Sequence, residues 1–213
     1  MVLDIPIGDE LHLLHLGLMK KLLTGWRSGS FGLQTKWTFR NECEISTYLI
    51  SCNSFKPIEI HRMIRGLNDM ARWKATEYRT FLLYCSLTAL KNFLPNKYYE
   101  HYLLFYCSVI ILGSELIQSN MIDTAEEMII SFLNLFKSMY GIEHFSSNLH
   151  NLSHLVDEVR RFGPLCKFNA YNFENHLQRI KQLVRSGNLP LNQIAKRILE
   201  QDFNSSEKLP PLN

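Results

Sequence analysis

The segment YNFENHLQRIKQLVRS at 171–186 sets one carboxylate, Glu174, at the head of an otherwise basic stretch. Phe173, Leu177, Ile180 and Val184 recur at i, i+4, i+7 and i+11 as an apolar seam, and Glu174, Gln178, Lys181 and Arg185 border it one step round. A carboxylate at the edge of a buried face can hold a cation or accept a proton. Taken alone, the pattern favours a simpler reading: an acid in the first turn and bases near the last complement the helix dipole, with Asn172 as the cap.

Three further stretches carry residues capable of chemistry. In GDELHLLHLG, Asp9 and His12 lie three apart, close enough to hydrogen-bond or share a site, although spacing alone favours a capping aspartate beside a surface histidine. In NLHNLSHLVDEVRRFG, His150, His154, Asp157 and Arg161 form a polar stripe opposite a core face of Leu149, Leu152, Val156 and Val159. Two histidines four apart have metal-ligand spacing, and Asp157 adds an oxygen, but no HExxH glutamate lies between them and no cysteine is near. No metal site is therefore assigned, and capping or packing is favoured. In RWKATEYRTFLLY, Trp73 sits amid Arg72, Lys74 and Arg79, a setting in which an indole can stack on an unpaired base, though such a tryptophan is more often a core anchor. No phosphate-binding glycine loop, GxSxG elbow or CxxC pair occurs.

The elements that must position these residues read as helices. Leu11, Leu14, Leu18 and Leu22 define a first helix from about Asp9 to Thr24, followed by a loop, GWRSGSFGLQTK. Further helices are expected at 41–53, 57–68, 73–94, 97–118, 121–139, 147–162, 171–186 and 190–202, punctuated by Pro57, Pro95, Gly141, Pro164 and Pro190. The one stretch with any strand character is CKFNAY. The expected fold is mainly α, a multi-helix bundle over 1–203 with a flexible tail at 204–213.

With 213 residues, 46% of them hydrophobic, the chain can bury a sizeable core. A net charge of +3 does not by itself make a nucleic-acid binder, so any such role must rest on local clusters. Five scattered cysteines without a disulfide or zinc spacing suit a reducing compartment, nucleus or cytoplasm. No signal-peptide pattern opens the sequence. The longest apolar run, 102–113, falls short of the roughly 20 residues of a bilayer span, so no membrane partner is expected.

Taken in series, GDELHLLHLGLMKKLL, WKATEYRTFLLY, NLHNLSHLVDEVRRFGPL and FNAYNFENHLQRIKQLVRSG resemble the transposases of CACTA (En/Spm-like) DNA transposons and their animal relatives, from about Asp9 to about Glu200. The resemblance implies a place in an enzyme with an RNase H-like core, whose two aspartates and one glutamate hold divalent cations, and whose glutamate follows a long helical insertion. On that reading, 9–170 is insertion-like and 171–203 supplies terminal core helices. Glu174 matches the catalytic glutamate, Asp9 and His12 match an Asp-x-x-His family motif that is not the aspartate pair, and His150 and His154 belong to a further motif. The chain departs from the pattern at His176, where the family usually has Tyr, and at Leu87-Thr88, where it often has Gly-Pro.

The two catalytic aspartates would lie upstream of the Asp-x-x-His motif, so the chain is expected to be a transposase-derived fragment, inactive alone, with Mg2+ relevant only if a longer product supplies those aspartates. It is expected to bind DNA weakly through Arg160, Arg161, Arg179, Lys181 and Arg185, with Trp73 as a stacking candidate. The apolar seam of Phe173, Leu177 and Ile180 would pack on a nuclease-core domain or support self-association. The alternative is a stand-alone helical module that binds protein and has no DNA role.

Overall fold

The computed structural model describes residues 8–60, 62–116 and 119–206. They are mainly helical, with no strand among them, and they divide between Asn169 and Ala170 into two compact units.

The first unit opens on a π-wound stretch, Glu10–Met19, that runs directly into α1, Lys20–Ser28. The leucines predicted to face inward do so: Leu11, Leu14, Leu18 and Leu22 are at most 3% exposed. Two glycines permit the close approaches that seat this element. A Cβ on Gly17 would lie 2.7 Å from the Asn148 side chain, and one on Gly25 would lie 2.1 Å from the Phe31 ring. The Phe31 ring in turn meets Tyr140 at 4.5 Å.

α2 (Phe39–Cys52) starts on a reciprocal cap, in which the Asn41 amide donates to the Thr38 hydroxyl and the Thr38 amide to the Asn41 side chain. The helix expected at 57–68 does not form among the described residues of that stretch. Asn53 at the end of α2 both donates to the Ile64 carbonyl and accepts from the Ile64 amide, each at 2.9 Å, which fastens Ile64 to the end of α2. A 3-10 helix, Leu67–Arg72, follows, with the Leu67 amide anchored on the Ser46 hydroxyl. The helix expected over 73–94 is three pieces: α3 (Ala75–Thr80), a π-wound turn (Phe81–Cys85) and α4 (Ser86–Lys91).

The centre of the unit is the antiparallel pair α5 (Asn96–Gly113) and α6 (Ser119–Tyr140). Its seam is aromatic: Tyr98 meets Tyr140 at 5.5 Å, His101 stacks on Phe132 at 4.3 Å, and Phe105 meets Phe132 at 5.6 Å. The expected 147–162 helix breaks at Ser153 and His154 into α7 (Ser147–Leu152) and α8 (Leu155–Phe162). CKFNAY contributes a 3-10 turn, Leu165–Lys167, rather than a strand.

The second unit consists of two helices, α9 (Tyr171–Gln182) and α10 (Pro190–Ser206), joined by a turn. α9 ends four residues before the expected 186, because the Gln193 side chain takes up the backbone of the turn: it accepts from the Arg185 amide at 2.9 Å and donates to the Ser186 and Asn188 carbonyls. Of the tail expected at 204–213, residues 204–206 belong to α10 and 207–213 lie outside the described residues.

Candidate functional site

Three of the four stretches singled out by residue type converge in the first unit. Asp9 is the cap of the opening helix: its Oδ1 accepts from the Leu11 and His12 amides at 2.8 and 3.1 Å, and its Oδ2 accepts from His12 Nδ1 at 2.9 Å. One carboxylate thus satisfies two orphan helix-start donors and fixes an imidazole. Beside it, the Gly8 amide donates to Glu158 Oε2 at 2.9 Å, which ties the first stretch to α8. Glu10 and His15 are buried next to Arg79 of α3. Burial raises the Glu10 carboxyl, with Asp9 adding to the rise and Arg79 opposing it. Burial, reinforced by Arg79 and opposed by Asp9, lowers His15 to about 3, so this imidazole is neutral at physiological pH.

Trp73 is 5% exposed, edge-on to Tyr78 at 5.3 Å and tilted against Phe81 at 6.0 Å. It is a core anchor, and in this fold its face cannot receive a base. The chemistry around it lies one helical turn on, at Glu77. That carboxylate is 1% exposed, accepts Arg65 Nε and Nη2 at 2.8 Å each, and caps α3 by accepting the Lys74 amide at 2.9 Å. Burial alone would raise it, yet the fork of Arg65 and the Lys74 amide hold it below its ordinary value. Nothing in the sequence spacing links Arg65 to Glu77, so the pair emerges only from the fold. The one available signal was a glutamate at the third position of a helix start.

His150 and His154 are exposed, with ring centroids 5.2 Å apart and planes at 88°. Asp157 is turned to Arg160 at 3.3 Å. Among the described residues, no three His, Cys, Asp or Glu side chains gather in a way that could hold a metal ion. Arg160 is bound besides to Asp123 at 2.7 Å and Glu126 at 2.6 Å, so three carboxylates occupy the guanidinium proposed for DNA. Those partners hold it firmly protonated. Arg161 is exposed and lies over the Phe162 ring at 4.9 Å.

In the second unit, Glu174 stands exposed in the first turn of α9, its amide donating to the Ala170 carbonyl at 2.9 Å. Arg179, Lys181 and Arg185 are exposed as well. The seam beside them is uncovered at its start, Phe173 being 71% and Leu177 64% exposed, while Ile180 and Val184 are half-buried.

No helix among the described residues is long and apolar enough to cross a membrane. Comparison with curated proteins and with solved structures yields no match. A family model described as a domain of unknown function (DUF4218), a domain found in plant transposase-like proteins, matches residues 112–205, from the end of α5 through α10.

Proposed function

We propose that the chain is a transposase-derived helical protein that binds DNA weakly and without sequence preference through the basic side chains of its second unit, and that it does not by itself cut or join strands. The observation that carries the reading is α9. One short helix presents Glu174, which the sequence resemblance matches to the family's catalytic acid, the exposed cations Arg179 and Lys181 with Arg185 just beyond, and an uncovered apolar seam at Phe173 and Leu177. The match of a domain found in transposase-like proteins over 112–205 supports the same ancestry.

Two-cation strand transfer needs several carboxylates on shared metal ions. Glu174 is a single acid on an exposed helix, and the described residues gather no further ligands into such a set. The donor set does not fit a pair of Mg2+ ions, and no step is assigned to them. Glu174 instead acts as a first-turn acid that complements the α9 dipole. Phe173 and Leu177 are where an RNase H-like domain, or a second helical chain, would bury apolar surface.

The test is incubation of the purified chain with supercoiled DNA and Mg2+ or Mn2+. The expected outcome is retardation of the DNA with no nicking. Nicking that disappears in Glu174→Gln would contradict the proposal and require partner acids elsewhere in the chain.

A further inference from the structure

We propose that a cavity beside α1 is a binding site for a dianionic phosphate group, that of a phosphomonoester or of inorganic phosphate. The cavity, of about 420 Å3, lies wholly in the first unit. Its polar lining is drawn from three stretches of the chain: Lys20 and Lys21 on α1, Ser30 in the loop that follows, and His144, Ser146 and Asn148 around the start of α7. Gly17, also in the lining, lets the last of these come close, since the Asn148 amide nitrogen lies 2.7 Å from where a Cβ on Gly17 would stand.

Every polar side chain that lines the cavity can donate a hydrogen bond, and none is a carboxylate. These donors are not spent inside the protein. Among the described residues, neither Lys20 nor Lys21 is paired with an acid, and the Ser30 hydroxyl and the Asn148 side chain have no hydrogen-bond partner. Ser146 stands at the cap of α7, yet its hydroxyl makes no capping bond. Other cations of the unit are neutralised, Arg27 by Glu42 and Arg65 by Glu77, each at 2.8 Å. The imbalance is visible in the sequence too, because residues 11–41 contain five Lys or Arg and no Asp or Glu. A second cavity shares Lys20 but is lined also by Glu42, which would repel an anion there. Glu143 lies 3.9 Å from His144 Nε2 but does not line the phosphate cavity. Two ammoniums match the nearly two charges of a phosphomonoester at neutral pH, where a backbone phosphodiester carries one, and the hydroxyls and amide serve the remaining oxygens.

Such a group comes from a free phosphorylated molecule or from the 5′-phosphate of a nucleic-acid strand. The 15N-labelled full chain is titrated with sodium phosphate at constant ionic strength, sodium chloride making up the balance, and followed by amide NMR. The expected result is a saturable shift of the Asn148 side-chain amide and of the Lys21 and Ser146 backbone amides. The apparent Kd should weaken by about tenfold or more in Lys20→Gln/Lys21→Gln and stay unchanged in Lys181→Gln/Arg185→Gln, so that this site and DNA binding by the second unit stand or fall separately. Adenosine monophosphate and a 5′-phosphorylated oligonucleotide are then compared: tighter binding of the oligonucleotide at these signals identifies a strand end as the source, and tighter binding of the nucleotide a free ester. Shifts that never saturate or that chloride alone reproduces overturn the inference. So do an unchanged Kd in Lys20→Gln/Lys21→Gln and equal shifts from the same oligonucleotide bearing a 5′-hydroxyl. Because saturation and the chloride control are read on the wild-type chain, a poorly folding variant leaves the test decisive.

Discussion

His101 is the residue whose environment makes the sharpest quantitative claim. It is 2% exposed, stacked on Phe132, and donates Nε2–H to the Phe132 carbonyl at 2.9 Å, while Nδ1 is buried without a partner. Burial lowers it to about 4, and the Phe132 carbonyl offsets only part of that. The unfolded chain therefore binds a proton at His101 that the folded chain refuses between about pH 4 and the ordinary histidine value of roughly 6.5. The stability contributed by keeping this imidazole neutral is full above that window and is lost as pH falls through it. Each such histidine adds a slope of about 1.4 kcal/mol per pH unit there. His15 adds a second slope of the same sign, and Glu10, whose carboxyl is raised, works against it. In His101→Leu, urea unfolding between pH 4.5 and 6.5 should show a pH dependence shallower by about one proton's worth. An unchanged slope would mean that His101 is protonated in the fold. Residues of this kind were hard to read in sequence. Asp9 and His12 announced their contact because it is local, whereas Glu77 with Arg65, His101 with Phe132 and Trp73 with Phe81 depend on which helices meet.

Helix type was legible wherever one apolar stripe had one partner surface. The leucines of Glu10–Met19 and α1 obey their period, as do Leu149, Leu152, Val156 and Val159, all buried. Breaks were not legible, because they arise from contacts that the local pattern does not contain. Asn53 fastening Ile64 to the end of α2, and Gln193 filling the turn after α9, are side chain to backbone bonds across 11 and up to 8 positions. The junction of α1 with the rest of the fold yields a prediction at this scale. Gly25 lies under the Phe31 ring, which also packs edge-on against Phe136 at 5.8 Å and His144 at 5.1 Å. Adding a methyl in Gly25→Ala must displace that ring from a filled aromatic cluster, at a cost of roughly 1–3 kcal/mol despite the better helix propensity of alanine. Calorimetry should show a melting temperature lower by several degrees, about 2–4 °C for each kcal/mol in a chain of this size. A rise in melting temperature would mean that the Phe31 ring yields at no cost.

At the scale of the whole molecule, chemistry and stability are distributed unequally. The first unit holds the aromatic core and spends its charged motif residues on itself: Asp9 on a helix cap, Glu77 on Arg65, Arg160 on three carboxylates. The second unit is a pair of helices joined by a turn, with Glu174, Arg179, Lys181, Arg185 and the seam residues Phe173 and Leu177 exposed. This asymmetry is the ground on which DNA contact is proposed for Arg179, Lys181 and Arg185 rather than for Trp73 or Arg160. The most direct test is the affinity for a random-sequence DNA duplex, measured by fluorescence anisotropy across a salt series. The wild-type chain should bind in roughly the 10⁻⁴–10⁻⁶ M range, with affinity falling as salt rises. Neutralising both bases in Lys181→Gln/Arg185→Gln should weaken binding and flatten the salt slope by about 2, one unit for each lost phosphate contact. Arg160→Gln should leave both unchanged. Equal affinity and equal slope for the wild type and the double variant would contradict the assignment of DNA binding to the second unit.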